Sequence, residues 1–343
     1  MNVTEDDKMK NLSELINRLP RVRLANLPTP LEEMPRLSKV LGGPRLWIKR
    51  DDLTGLVFGG NKVRKLEFEM AEAENQGADV VITDGVPQSN HARTVATAAK
   101  KLGLKAVLVL RGEEPKEYDG NLLLDRIFGA DIRFVKAEWH ETGAITKKVF
   151  EELRGKGHNP YVIYFSSPLG SVGYVNAFLE LITQARKMKI KVDRIVHATG
   201  SGGTQAGLIV GNKALRAEVE VIGMSEEPDG DWLLNATVEI ANGCAKLLGL
   251  DFPTTSEDVK LLYDYAGKGP WVITKEAIDA TRLVAETEGI LLDPVYTSKA
   301  MAGLVDLVKQ GHFRKQENVI FLHTGGLPAI FPYKNEIMGM RTS

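Results

Sequence analysis

The sequence predicts an α/β protein made of two open, parallel-sheet domains. Three observations carry the prediction. Short apolar runs rich in β-branched residues recur along the chain, stretches of helical period separate them, and 343 residues suffice for about two ordinary domains. A run that is apolar at every position suits a strand covered on both faces, and covered strands joined through helices are parallel.

In chain order, a first series of strands is expected at 46–49, 80–83, 106–110, 132–135 and 161–165, and a second at 194–197, 220–224 and 319–323. Each joins Val, Ile, Leu or Phe into a short run next to Gly, Pro, Asn or Asp. Helices are expected at 65–76, 92–102, 122–128, 144–156, 174–187, 205–215, 232–248, 275–287 and 298–309, where apolar residues return every three or four positions. Residues 1 to about 12, polar and partly acidic, are expected as a frayed leader and lack the form of a signal peptide.

Composition narrows the function. The chain is 43% hydrophobic and 26% charged, and its 44 basic residues nearly balance 45 acidic ones. It therefore offers no broad positive field to nucleic acid or an anionic membrane, and no apolar run reaches spanning length. Cys244 is the one cysteine, so no intramolecular disulfide can form. It reads as a buried structural thiol, and low cysteine usage fits a cytoplasmic protein. A chain of this length needs no metal to fold.

Ligands of open α/β sheets gather beyond the carboxyl ends of strands, so chemistry is sought there. In residues 53–66, Gly55, Gly59 and Gly60 precede Asn61 and Lys62, and a helix follows. A phosphate-binding P-loop is rejected: Asn61 is inserted before the lysine, and Val63 stands where a magnesium-binding hydroxyl belongs. A Schiff-base lysine and a solvated turn lysine remain open. Residues 84–93, DGVPQSNHAR, follow a strand and open a helix. Ser89 or Asn90 is either a simple helix cap or part of an anion site, with His91 and Arg93 either assisting or facing solvent. Residues 197–207, HATGSGGTQAG, make a strand-to-helix turn suited to a monophosphate. A dinucleotide fingerprint is not met, since Gln205 takes the third glycine position and Met224 and Ser225 intervene before Glu226. Two further turns, ILLDPVYTSKA at 290–300 and FLHTGGL at 321–327, read individually as plain turn chemistry.

Taken together, LPTPLE, WIKRDDLTGL, GGNKVRKLE, QSNHAR, GSVGYVNA, IVHATGSGGTQAGL, GILLDPVYTSKAM and FLHTGG cover the chain from about Leu27 to Gly326. In these blocks the chain resembles the pyridoxal-phosphate (PLP) enzymes of fold type II. The group is that of 1-aminocyclopropane-1-carboxylate (ACC) deaminase and D-cysteine desulfhydrase, with L-cysteate sulfo-lyase a close relative. The resemblance implies a tryptophan synthase β-like fold with the cofactor between two domains, a larger one of 1–64 plus 176–343 and a smaller one of 65–175. It also implies a homodimer acting on a small amino acid. Lys62 would carry PLP as a Schiff base and shuttle the Cα proton. Asn90 would bond the 3′-oxygen, and Ser89 would contact the substrate carboxylate or assist proton transfer. Gly200, Ser201, Gly202, Gly203 and Thr204 would hold the phosphate. Tyr296 would line the pocket, and Thr297 and Thr324 would lie near the pyridine nitrogen.

In the deaminase a glutamate follows the DPVY tyrosine and a leucine precedes the last Gly-Gly, where this chain has Thr297 and Thr324. A carboxylate at the ring nitrogen keeps it protonated and makes a strong electron sink, whereas a hydroxyl leaves it largely neutral. Elimination needs less delocalisation because the leaving group takes the electrons. The expected reaction is thus α,β-elimination, with D-cysteine giving pyruvate, sulfide and ammonia. The alternatives are L-cysteate sulfo-lyase, ACC deaminase and a non-catalytic PLP-binding protein. One departure stands out: Pro270 occupies the place of a tyrosine in the relatives, with Tyr265 and Trp271 as substitutes.

Overall fold

Apolar runs of five to seven residues become largely buried strands, and with shorter or more exposed edge strands they assemble into two sheets. The computed structural model describes residues 4–228 and 230–339. Its strands are β1 (Leu31–Glu33), β2 (Arg45–Lys49), β3 (Val80–Gly85), β4 (Lys105–Arg111), β5 (Asp131–Val135), β6 (Pro160–Val162), β7 (Arg194–Thr199), β8 (Glu220–Ser225), β9 (Lys260–Leu262) and β10 (Asn318–Leu322). A six-stranded sheet has the order β1-β2-β10-β7-β8-β9, and a four-stranded sheet the order β5-β4-β3-β6. Every pairing is parallel except β1 with β2. The expected α/β class with parallel-sheet domains is therefore observed.

The central strand β10 shows the logic. All five of its residues are buried between β2 and β7. Such a strand has no polar face, so from Val319 to Leu322 its sequence is apolar without alternation, and the buried Asn318 at its start accepts from Trp47 Nε1 at 3.1 Å. Burying each large side chain here stabilises the fold by about 1.5–3 kcal/mol. The strands unforeseen in sequence, β1 and β9, are edge strands of three residues. So short a segment has no readable period. The strand ends at Val162, earlier than expected; Ile163 still donates its N–H to the Ile82 carbonyl at 2.8 Å, while Phe165 stacks against Trp139 with ring centroids 5.1 Å apart.

Two helix starts matter for the site. The helix Asn61–Asn75 begins four residues earlier than its apolar period suggests, directly after Gly60 at φ +114°. The helix Gly203–Leu215 begins two residues early, after Gly202 at φ +75°, where a β-carbon would also collide with Thr237. Glycine hides a helix start from any reading of apolar period. The amino terminus also differs from expectation. Residues from Glu5 to Asn17 form a helix with a Thr4–Asp7 capping box, and Leu12 and Ile16 are buried. Residues 1–3 of the expected leader lie outside the described residues. Cys244 is buried in the helix Asp231–Leu247, and burial pushes its thiol up to about 12. Among the described residues, no helix is long and apolar enough to cross a membrane.

Candidate active site

The loops after β3, β7, β8 and β10 meet the start of the helix that carries Lys62. Asn61 N–H donates to the Thr324 carbonyl at 2.9 Å. A β-carbon at Gly325 would lie 2.5 Å from Gly60 Cα, so two glycines let these backbones touch. Asn61 Nδ2 donates to Thr204 Oγ1 at 3.0 Å, which ties the lysine helix to the glycine turn after β7. On the other side, a β-carbon at Gly326 would lie 3.0 Å from Asn90 Nδ2 and 2.7 Å from Asp293 Cγ. All five segments singled out in sequence thus converge.

Lys62 is half-buried, and desolvation pushes its amine down to about 8 against the opposing attraction of Glu226. Lys62 is not a fully exposed turn lysine. Lys65, one turn along the same helix face, is fully enclosed, and burial with the nearby Lys62 charge pushes its amine far below the usual range. Its Nζ lies 3.0 Å, and Ser166 Oγ 2.8 Å, from where a β-carbon at Gly203 would stand. Ser166 in turn donates to Ser201 Oγ at 2.7 Å. An amine, two hydroxyls and the amino end of a helix therefore surround a spot that any side chain at Gly203 would fill. That donor set fits a phosphate.

The remaining predicted residues are placed as follows. Ser89 caps the helix Asn90–Lys101, its Oγ accepting from Ala92 N–H at 3.1 Å. Asn90 Oδ1 accepts from Asn121 Nδ2 at 2.8 Å, leaving its amide nitrogen toward Gly326. His91 and Arg93 are buried, so neither faces solvent. Arg93 donates to the Val57 carbonyl at 2.7 Å and braces the loop before Lys62. Thr297 donates its hydroxyl proton to Asp293 Oδ1 at 2.7 Å and accepts from Asp293 N–H at 2.8 Å. Asp293 also accepts the N–H groups of Val295, Tyr296 and Thr297 and so organises the whole DPVYT turn. Tyr296 meets Trp271 edge to face, with ring centroids 5.8 Å apart. Tyr265 is committed elsewhere, donating to Asp306 at 2.7 Å, so Trp271 is the aromatic neighbour at the departure marked by Pro270.

Sequence reasoning missed Lys65, Ser166, Asp293 and Glu226. Lys65 was findable, because positions i and i+3 share a helix face. Ser166 lies far from the glycine turn in sequence and carried no signal. Glu226 follows β8 directly, at the sheet edge where ligands gather. Among the described residues, no cluster of His, Cys, Asp or Glu could hold a metal.

This arrangement, a desolvated lysine beside a phosphate-shaped donor set on a two-sheet α/β frame, defines a pyridoxal-phosphate enzyme of fold type II. The profile of the family described as "Pyridoxal-phosphate dependent enzyme" matches residues 22–325, and the chain belongs to that family. Within it the chain is similar to a protein of Pyrococcus abyssi, 43% identical over 328 residues that cover 94% of this chain and 97% of the relative. A Pyrococcus furiosus protein is 43% identical over 333 residues, covering 95% of this chain and 98% of the relative. Both are provisionally named ACC deaminases. A crystal structure described as an "ACC deaminase homologue" superimposes with a TM-score of 0.90 at 41% identity, covering 96% of this chain and 99% of that one. PLP is the cofactor of this family.

Proposed function

We propose that the protein is a lyase that eliminates the β-substituent of a small amino acid, D-cysteine being the favoured substrate. The observation that carries this reading is the occupant of the position after Tyr296. It is Thr297, a hydroxyl already engaged with Asp293, and not a glutamate free to protonate a ring nitrogen. Bound PLP supplies the electron sink that acidifies the substrate Cα proton. Lys62 Nζ, its basicity lowered by desolvation, accepts that proton near neutral pH. Lys65, Ser166, Ser201, Gly203 and Thr204 hold the phosphate and keep the reacting carbon within reach of Lys62. Ser89 and Asn90 orient the substrate carboxylate and the cofactor's 3′-oxygen at the start of their helix. Tyr296 and Trp271 close the apolar side and exclude water. A homodimer is part of the proposal and rests on the resemblance; sedimentation gives the mass.

A second reading, opening of ACC to 2-oxobutyrate, is favoured by the names of the relatives. Steady-state assays of the holoenzyme with D-cysteine, L-cysteate, D-serine and ACC decide between these. Sulfide with pyruvate from D-cysteine is the expected result. Sulfite from L-cysteate moves the assignment to the sulfo-lyase, and 2-oxobutyrate from ACC moves it to the deaminase. A coloured protein that turns over none of the four is a binding protein.

A further inference from the structure

A side-chain amide has two ends of nearly equal size and opposite chemistry, so Asn90 offers a ligand either an N–H or an oxygen. Buried neighbours make the choice. Asn121, on the helix Gly120–Ile127, is fully buried, and Arg93, on the helix Asn90–Lys101, is nearly so. Arg93 Nε donates to Asn121 Oδ1 at 3.2 Å. Asn121 Nδ2 donates to the Gln88 carbonyl at 2.9 Å and to Asn90 Oδ1 at 2.8 Å. A guanidinium can only donate, and a backbone carbonyl can only accept. Asn121 is therefore held at both ends by partners whose roles cannot be exchanged, and its second N–H needs an acceptor. Asn90 must turn its oxygen to Asn121. Its Nδ2, which makes no hydrogen bond among the described residues, lies 3.0 Å from where a β-carbon at Gly326 would stand. Two further bonds hold the relay in place. Asn121 N–H donates to Gln88 Oε1 at 3.0 Å, and Arg93 Nη1 donates to the Val57 carbonyl in the loop before Lys62.

We propose that Asn121, itself oriented by Arg93, is a positioning residue that makes Asn90 a hydrogen-bond donor to the cofactor's 3′-oxygen. The proposal rests on the Asn90 contact in the function proposed above and not on which substrate is cleaved. An N–H at that oxygen favours its ionised form, whereas an amide oxygen there favours the neutral phenol, which has a proton to give. Asn121→Asp keeps the shape and still accepts from Arg93, but it has no N–H for Asn90. The Asn90 amide then reverses, giving its own N–H to the new carboxylate and its oxygen to the ligand. Asn121→Leu keeps the volume without charge and frees the Asn90 amide to turn either way.

The test reads the ionisation of a bound ligand, not turnover. The full-length protein, resolved of cofactor, is saturated with pyridoxine 5′-phosphate, which carries the same hydroxyl but no aldehyde and cannot react with Lys62. Near-ultraviolet absorbance then gives the pH midpoint at which the bound phenol ionises. Asn121→Asp should raise that midpoint by about one pH unit, the worth of a single hydrogen bond to a charged oxygen. Asn121→Leu should give a smaller rise of the same sign, and it carries the test should the aspartate variant fold poorly. Asn90→Ala, which removes the contact itself, should also raise the midpoint. In the Asn90→Ala background Asn121→Leu should add nothing, and Asn121→Asp should add only what its charge contributes at a distance, which is subtracted. A folded Asn121 variant with the wild-type midpoint overturns the proposal. So does a shift that persists undiminished in the Asn90→Ala background, since a merely structural residue would not act through Asn90. An unmoved midpoint in Asn90→Ala overturns it together with the Asn90 contact. A substrate screen that fails in every arm leaves these midpoints untouched, so the failures are distinguishable.

Discussion

Arg64 donates from Nε and Nη2 to the two carboxylate oxygens of Asp51, both at 2.8 Å, in a pair that solvent does not reach. Tyr174 and Thr29 complete the Asp51 shell at 2.7 and 2.8 Å, and Glu180 takes the rest of the guanidinium. Arg64 is two residues from Lys62, so this network anchors the helix turn that aims the amine. Asp51→Asn leaves a buried guanidinium short of one counter-charge and is expected to cost about 3–5 kcal/mol. Urea unfolding checks the value. The Arg64 charge holds the Asp51 carboxyl below its ordinary range, despite burial. A depressed carboxyl contributes stability above its unfolded value of about 3.9 that is lost as pH falls through the folded value. The difference between wild type and Asp51→Asn should therefore shrink only below about pH 4.

Lys62 predicts a pH profile of its own. Capture of PLP requires the neutral amine, and desolvation sets that amine near 8. In stopped-flow absorbance, capture by the cofactor-free protein should accelerate up to about pH 8 and then stop accelerating. An ordinary lysine would continue to accelerate toward about 10.4. Lys62→Ala should show no visible absorbance band that borohydride can trap and should lose roughly 10²–10⁴-fold or more in turnover.

Lys299 predicts a loop effect. Its buried Nζ donates to the carbonyls of Ala266, Gly269 and Pro270 at 2.8, 2.6 and 3.3 Å. Lys299→Met strands these acceptors and releases the segment that carries Trp271. A loss of about 2–4 kcal/mol is expected from the unpaired carbonyls. Trp271 should become more mobile, which tryptophan fluorescence anisotropy reads.

The loop before Lys62 holds a stretch of left-handed backbone. Gly55, Leu56, Val57, Phe58 and Gly59 have φ of 79, 48, 53, 60 and 57°. For the three residues with β-carbons this conformation is unfavourable by about 1–2 kcal/mol each. Val57 is β-branched and therefore most strained. Its carbonyl, held by Arg93, is backbone and survives substitution. Val57→Gly should raise the unfolding free energy by about 1 kcal/mol, seen as a higher urea midpoint at unchanged slope.

Cys244 predicts chemical silence. Its buried thiol, pushed up to about 12, should not react with a thiol reagent in the native protein and should react stoichiometrically once urea unfolds it.

The residues that could be read from the sequence were those whose chemistry is local. Lys62 behind two glycines and the Gly200–Thr204 turn after a strand are legible because strand, turn and helix are set by neighbours in the chain. The family resemblance added Ser89, Asn90, Tyr296, Thr297 and Thr324, which spacing alone left as turn chemistry. The early start of the Lys62 helix was hidden by Gly60, and the edge strands β1 and β9 were too short to show a period.

By itself, then, the amino-acid order determined the alternation of buried strands with helices and the few glycine turns able to approach a ligand, because both follow from periodicity and backbone freedom within a few residues. Only the tertiary structure decided which distant groups share one small volume. Lys65 reaches Gly203 and Ser166, Glu226 leans on Gly200, and the proton of Thr297 goes to Asp293. Desolvation and charge coupling depend on such through-space neighbours, so the shifted basicity of Lys62 exists only in the folded chain.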